Sequence, residues 1–229
     1  QHYLSLDYAP LPMYYLNAIS AAASFAEGNY FEAFEIACTG IETAEINDYT
    51  GIAGSADLHF IRARCLLEFS KIDEALDAFN LVRTIALASK QKVWYILADG
   101  YLLRQYVLEG RVEEAFEGIK EQRELIQSVS SINQLGSLVD ANEAFLRYVV
   151  KDYDRVLALL DRMPEGNLVS RYKPRIMELQ GKKIPDVLSE TLPTKTPRDL
   201  LYRYLDDVGA AIDRETEALG HLQKCLDLA

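Results

Sequence analysis

The stretch GRVEEA at residues 110–115 decides the fold, because copies of it recur along the chain. Each copy consists of a tight polar turn, an aromatic or aliphatic residue, and a small residue three positions further on. Clear copies are GNYFEA at 28–33, SKIDEA at 70–75 and KDYDRV at 151–156, and weaker ones are GKKIPDV at 181–187 and DRETEA at 213–218. Their last residues, called the small positions below, are 42, 40, 41, 31 and 31 residues apart. This quasi-regular repetition predicts six stacked units.

The sequence around each turn predicts a pair of antiparallel helices. Ahead of the SKIDEA turn, apolar residues between Leu58 and Leu66 recur with the 3.6-residue period of an α-helix. The acidic residues after the turn favour the positive N-terminus of the next helix. The small residue Ala75 lets the two helices approach closely, and Phe79 further on packs against the next unit. We therefore expect an all-α, right-handed superhelix of about six antiparallel helix pairs, a tetratricopeptide-like solenoid.

The domain organisation follows from the spacing of the copies. We expect a single tetratricopeptide-like helical repeat domain over residues 1–229, with four longer units in residues 1–163 and two shorter units in residues 164–229. The chain begins at Gln1 and stops at Ala229 within a helical pattern. This observation favours an excised piece of a longer protein.

The composition is that of an acidic globular polypeptide. The chain is 49% hydrophobic and 26% charged, with only 12 Gly and 7 Pro, which excludes a disordered chain. No apolar run reaches the roughly 20 residues of a membrane span, no secretory signal is visible, and three cysteines without CxxC spacing favour reduced thiols. A cytoplasmic location without membrane contact is expected. The net charge of −11 repels a phosphate backbone, so we expect no nucleic-acid binding by this segment.

Motifs of catalysis and metal binding are missing from the sequence. There is no GxSxG and no HExxH, and the three histidines are scattered at His2, His59 and His221. We interpret His59 as a structural residue whose hydrogen-bonding needs are satisfied. Cys65 has apolar neighbours in the sequence, which favours a packed thiol. The expectation is a protein that is not an enzyme and has no cofactor, catalytic residue or metal site.

Two arginines occupy equivalent positions on the first helices. First helices line the concave face of such stacks, and the residue eleven positions before the small position, the groove position, is Arg64 in the second unit and Arg104 in the third. In successive units the groove position is Ala22, Arg64, Arg104, Phe145, Ile176 and Asp207, and nearby groove candidates are Tyr15, Asp57, Phe60, Leu97, Tyr148 and Arg203. Stacking predicts that the two guanidinium groups lie close together and anchor an anionic effector or peptide. The alternative is that Arg64 pairs with Glu68, and Arg104 with Asp57 or another neighbour.

Aromatic residues are concentrated on one first helix. Trp94, Tyr95 and Tyr101 fall within a few residues of each other, with Tyr106 after them. They are either the core between two units or a stacking platform for a sugar or another flat ligand.

The turns resemble tetratricopeptide repeats, although the first intervals exceed the usual repeat of roughly 34 residues. Longer units of this kind resemble the superhelical sensor domain of LuxR-family (MalT-type) ATP-dependent transcriptional regulators. Three stretches carry that resemblance: LHFIRARCLLEFSKIDEALDAFNLVRTIA at 58–86, VVKDYDRVLALLDRMPE at 149–165, and the ending from LPTKTPRDLL at 192 to Ala229.

The resemblance implies that the chain belongs to a longer protein with three parts: an ATPase module, a helical sensor and a DNA-binding helix-turn-helix. The sensor receives a small-molecule or protein effector and controls self-association. This chain has no GxxxxGK[ST] loop, so ATP hydrolysis and DNA contact are assigned to none of its residues. The function expected from the resemblance is a regulatory binding and oligomerisation module. The alternative is a tetratricopeptide adaptor that holds a partner peptide in its concave groove.

Overall fold

The computed structural model describes residues 10–48, 55–127, 132–164 and 167–182 of the chain. Within these ranges the regular structure is entirely α-helical, which confirms the all-α prediction. The helices are α1 (Pro10–Glu27), α2 (Tyr30–Ile46), α3 (Ser55–Glu68), α4 (Ile72–Ala88), α5 (Lys92–Leu108), α6 (Val112–Gln127), α7 (Ile132–Val149), α8 (Tyr153–Leu160) and α9 (Asn167–Leu179).

The helices pack in adjacent pairs and form a helical-repeat superhelix. Four pairs are described, α1 with α2 through α7 with α8, followed by α9. Helices α1, α3, α5 and α7 also contact one another in succession, whereas the described even-numbered helices contact only odd-numbered ones. The odd-numbered helices therefore form the inner layer, which lines the concave face. The partner helix of α9 and the predicted sixth pair lie outside the described residues.

The turns within the helix pairs share one backbone geometry. Each of these turns contains one residue in the left-handed region, with a φ of 88° at Gly28, 58° at Ser70, 80° at Gly110 and 62° at Lys151. The following residue donates its N–H to a carbonyl five residues earlier, at 2.8 Å for both Asn29 to Ser24 and Arg111 to Tyr106. This is the Schellman arrangement that ends a helix. These four copies are thus equivalent in structure as well as in sequence.

The weaker copy at 181–187 begins with the same turn. Gly181 has a φ of 65°, and the N–H of Lys182 bonds the carbonyl of Met177 at 2.8 Å. The repeat pattern therefore continues through α9 into the last described residues.

The small positions lie where two helices meet. Their side chains are at most 2% exposed at Ala33, Ala75, Ala115 and Val156. Between units, the ring of Phe79 stacks on that of Tyr101 with 4.4 Å between centroids. Both observations agree with the packing expected from the sequence.

Among the helices in the described ranges, none combines the length and apolar character needed to cross a membrane.

Candidate ligand-binding site

One cavity brings together residues from three successive groove positions. Arg104, Phe145 and Ile176 all line a space of about 340 Å³ on the concave face, which we call the Arg104 cavity. Its full lining is Arg104 of α5, Ala141, Ala144, Phe145 and Tyr148 of α7, Val156 and Leu160 of α8, and Tyr172 and Ile176 of α9.

The cavity arises because α9 departs from the pattern of the inner layer. Each earlier inner helix comes close to the next one along its backbone, whereas the backbone of α9 comes close to that of α8 and not to that of α7. On α7, Ala141 and Ala144 present only methyl groups to the resulting gap. The rings of Tyr148 and Tyr172 lie 6.3 Å apart between centroids and bridge α7 to α9. The chain thus leaves an apolar space at one end of the described superhelix.

Arg104 is a partly buried cation without an ion-pair partner in the described part of the chain. Its guanidinium carbon lies 4.9 Å from the ring centroid of Tyr101 and 4.8 Å from that of Phe145. Its Nε is buried and has no hydrogen-bond partner. Burial is the main cause that lowers the pKa of Arg104, and the charge of Arg64 lowers it further. Because an arginine stays protonated even so, the cavity carries one positive charge.

Arg64 lies nearby on the same concave wall. Its charge affects the pKa of Arg104, as expected if stacking brings the two groove positions together. Its guanidinium carbon lies 3.9 Å from the ring centroid of Phe25. Among the described residues it forms no ion pair with Glu68, and Arg104 forms none with Asp57. The shared anion site predicted for the two arginines remains a prediction.

Several other charged side chains in the described residues are paired within the fold. Asp99 accepts hydrogen bonds from Arg83 at 3.0 Å and from Gln122 at 2.8 Å. Arg123 bonds Asp140 at 2.8 Å and also bonds Glu143. These pairs between α4, α5, α6 and α7 satisfy their own polar groups, so they offer a ligand little to bind.

The predicted aromatic residues lie within the core between two units. Phe60 is only 5% exposed, and its ring centroid lies 5.1 Å from that of Trp94 and 6.0 Å from that of Tyr101. Trp94, Tyr95 and Tyr101 are partly buried against the same cluster. This is the inter-unit core that the sequence left open as the alternative to a stacking platform. Phe60, expected in the groove, is instead covered by these rings.

The remaining groove candidates are spread along the inner layer. Tyr15 is 42% exposed, Leu97 packs half-buried against the inter-unit core, and Tyr148 lines the Arg104 cavity. Burial raises the pKa of Asp57 to about 6, and its Oδ1 is buried without a hydrogen-bond partner. Arg203 lies outside the described residues.

The histidine and thiol groups show how burial controls titration here. Burial, assisted by the charge of Arg62, lowers the pKa of His59 to about 4, and its Nδ1 has no hydrogen-bond partner in the described structure. His59 is therefore neutral near pH 7 but not satisfied, contrary to expectation. Burial raises the pKa of Cys65 to about 12, which keeps it a packed thiol. No group of three or more potential metal ligands occurs within the residues described.

Sequence reasoning missed the part of the cavity that α8 and α9 supply. Tyr172 stands one helical turn before the groove position Ile176, so the same register would have found it. Leu160 gave no such signal, because it lies on α8, the second helix of its pair, and outside the register of the groove positions. No family model matches the chain, and no curated protein is similar enough to indicate a relationship.

Proposed function

We propose that this chain is the effector-binding module of a cytoplasmic LuxR-type bacterial transcriptional regulator and makes no DNA contact itself. The Nε of Arg104, which is buried without a hydrogen-bond partner beside a concave-face cavity, carries the proposal. Burying a charge is costly unless a partner compensates it. Because the described fold supplies no anion, a bound effector is the group that would compensate this charge.

Residues 58–86 and 149–165 support the regulator part of the proposal through their resemblance to the sensor domains of that family. The first stretch covers nearly all of α3 and α4, and the second covers α8 with its preceding turn. Their helix-pair arrangement agrees with such a sensor.

The position of the cavity suggests how an effector acts. A ligand that contacts α7 and α9 together favours one arrangement of these two helices. It can shift an equilibrium only through a difference in affinity between two states. In the proposed mechanism, that difference biases self-association of the regulator.

A transcript comparison in the organism that carries the gene tests this proposal. The concave variant combines Arg64→Glu with Arg104→Glu. A matched variant combines Arg111→Glu with Lys120→Glu, two exposed cations at the start and middle of the α6 unit. We expect the concave variant to change the same transcripts as deletion of the gene, and the matched variant to leave them unchanged. If deletion changes no specific transcripts, or if the concave variant behaves as wild type, the proposal is wrong.

The adaptor function is the second candidate, and Arg64 is the observation that favours it. Arg64 stacks on Phe25 outside the Arg104 cavity, so cationic groups extend along the concave wall. An extended acidic peptide would contact both arginines, whereas a small effector would contact Arg104 alone. In that case an acidic peptide would lose affinity on substitution of either arginine, and gene deletion would leave transcription unaffected.

A further inference from the structure

We propose that the Arg104 cavity binds a small organic monocarboxylate with an apolar, preferably aromatic, body. This inference rests on the proposed function, because it names the chemical class of the effector that the module would take.

The charge of the ligand follows from the surroundings of Arg104. A guanidinium has five N–H donors in one plane. The ring faces of Tyr101 and Phe145 contact this group and stabilise its charge, and no described residue accepts a hydrogen bond from its Nε. The buried Nε confirms that at least one donor is left over. A carboxylate matches such a donor set through two parallel hydrogen bonds.

A single negative charge fits better than two. Arg104 is the one cation among the residues that line the cavity in the described structure. A phosphate or a dicarboxylate would therefore bury a second negative charge without a partner, which is costly. The site thus selects a monoanion.

The size and lining of the cavity define the body of the ligand. Its volume of about 340 Å³ is at the small end of the range for small-molecule sites. Leu160 and Ile176 are buried apolar side chains of the lining, and the rings of Tyr148 and Tyr172 flank the gap between α7 and α9. A ligand with one aromatic ring or a short alkyl chain fits within such a space, whereas an oligosaccharide or a folded peptide is too large.

Arg64 provides a matched control within the same chain. It occupies the equivalent position one unit earlier and also stacks on an aromatic ring, that of Phe25 at 3.9 Å. It does not line the cavity. Substituting Arg64 therefore removes a similar cation and a similar stacking contact while the proposed site stays intact.

Isothermal titration calorimetry of the full chain tests the proposal. The probes are benzoate, hydrocinnamate and octanoate, each compared with its neutral amide. For the best carboxylate we expect a dissociation constant on the order of 0.1–1 mM, as is typical of so small a ligand. Its amide and the Arg104→Met protein should each show affinity weakened about tenfold or more, because the charged hydrogen bonds are lost. Arg64→Met should bind almost as the wild type does.

The conservative variant Arg104→Lys sharpens the test. It keeps the charge but loses the planar pair of donors, so its affinity should fall between those of wild type and Arg104→Met. Circular dichroism and thermal melting of each variant show that it is folded before titration.

Three results would overturn the inference: no carboxylate binds, carboxylate and amide bind equally, or Arg104→Met binds as tightly as wild type. Any of these would leave the proposed regulatory function standing if the transcript comparison gives its expected result. The two proposals therefore fail separately.

Discussion

Two faces of α7 place arginine in contrasting environments. On one face, Asp140 and Glu143 bond the side chain of Arg123 from α6. On the other, Ala141 and Phe145 face Arg104 from α5, and no described carboxylate reaches it. The same helix thus supplies acids to one partly buried cation and only apolar groups to the other.

This difference separates a structural role from a binding role. A cation that is paired within the fold contributes to stability, and removing its partner leaves an uncompensated buried charge. A cation without a partner lowers the stability of the unliganded protein. It acquires a partner only when an anion binds. Variants on the two faces should therefore differ in the sign of their effect on folding.

The largest effect is expected at Glu143, on the paired face. Its side chain is 5% exposed and also lies 3.3 Å from Arg147 Nε and 3.6 Å from Arg155 Nε. Glu143→Gln keeps the shape but removes the charge. We expect the free energy of unfolding at pH 7, measured by urea denaturation, to fall by about 2–4 kcal/mol.

The pH dependence provides a control for that prediction. Burial opposes ionisation of Glu143, but the hydrogen bond from Arg123 and the surrounding positive charges hold its pKa below the usual value. Because its pKa is lowered by folding, ionised Glu143 contributes fully to stability at any pH above the ordinary glutamate pKa. This contribution is lost as the pH falls through the lowered pKa of the folded protein. The difference between wild type and Glu143→Gln should therefore shrink in acid. A difference that is constant from pH 7 to pH 3 would contradict the electrostatic origin.

A smaller effect is expected at Gly100, one helical turn before Arg104, where α5 and α7 pack closely. A Cβ added at Gly100 would lie 2.3 Å from Oδ1 of Asn142, which is 7% exposed. Asn142 cannot move freely, because its amide bonds the Ile96 carbonyl at 3.1 Å and Gln122 at 3.2 Å. Gly100→Ala should lower the free energy of unfolding by about 1–3 kcal/mol.

The matched variant for Gly100→Ala is Gly136→Ala on α7. A Cβ at Gly136 meets no described atom within 4 Å, so the change should be neutral or stabilising by up to about 1 kcal/mol through helix propensity. Both variants are measured by the same urea titration. If they lose the same free energy of unfolding, the loss at Gly100 does not come from its close packing against α7.

The repeat pattern predicted much of the fold because its signals are local. Glycine marks the turns at Gly28 and Gly110, where the backbone needs a positive φ. Ser70 and Lys151 adopt the same conformation without glycine, and the pattern of the residues that follow them identified these two copies. The equivalence of Arg64 and Arg104 followed from the same register, since one period applies to every unit.

What the sequence could not predict depends on contacts between distant helices. The exposure of Phe60 is set by Phe79, Trp94 and Tyr101, which come from the following helices. The cavity depends on the backbone of α9 lying close to α8 and further from α7, which no local pattern encodes. The hydrogen bonds between Asp99, Gln122 and Asn142 likewise join residues far apart in the chain.

The stability of Arg104→Met, with and without hydrocinnamate, tests the central claim most directly. Without the ligand, we expect urea denaturation to give a free energy of unfolding that is unchanged or raised by about 1 kcal/mol, because an unpaired buried charge is removed. At ten times the wild-type dissociation constant, hydrocinnamate should stabilise the wild type by about 1.4 kcal/mol and the variant, which binds about tenfold more weakly or worse, by at most about 0.4 kcal/mol. A variant that loses as much stability as Glu143→Gln, or that gains as much from the ligand as wild type, would contradict the account.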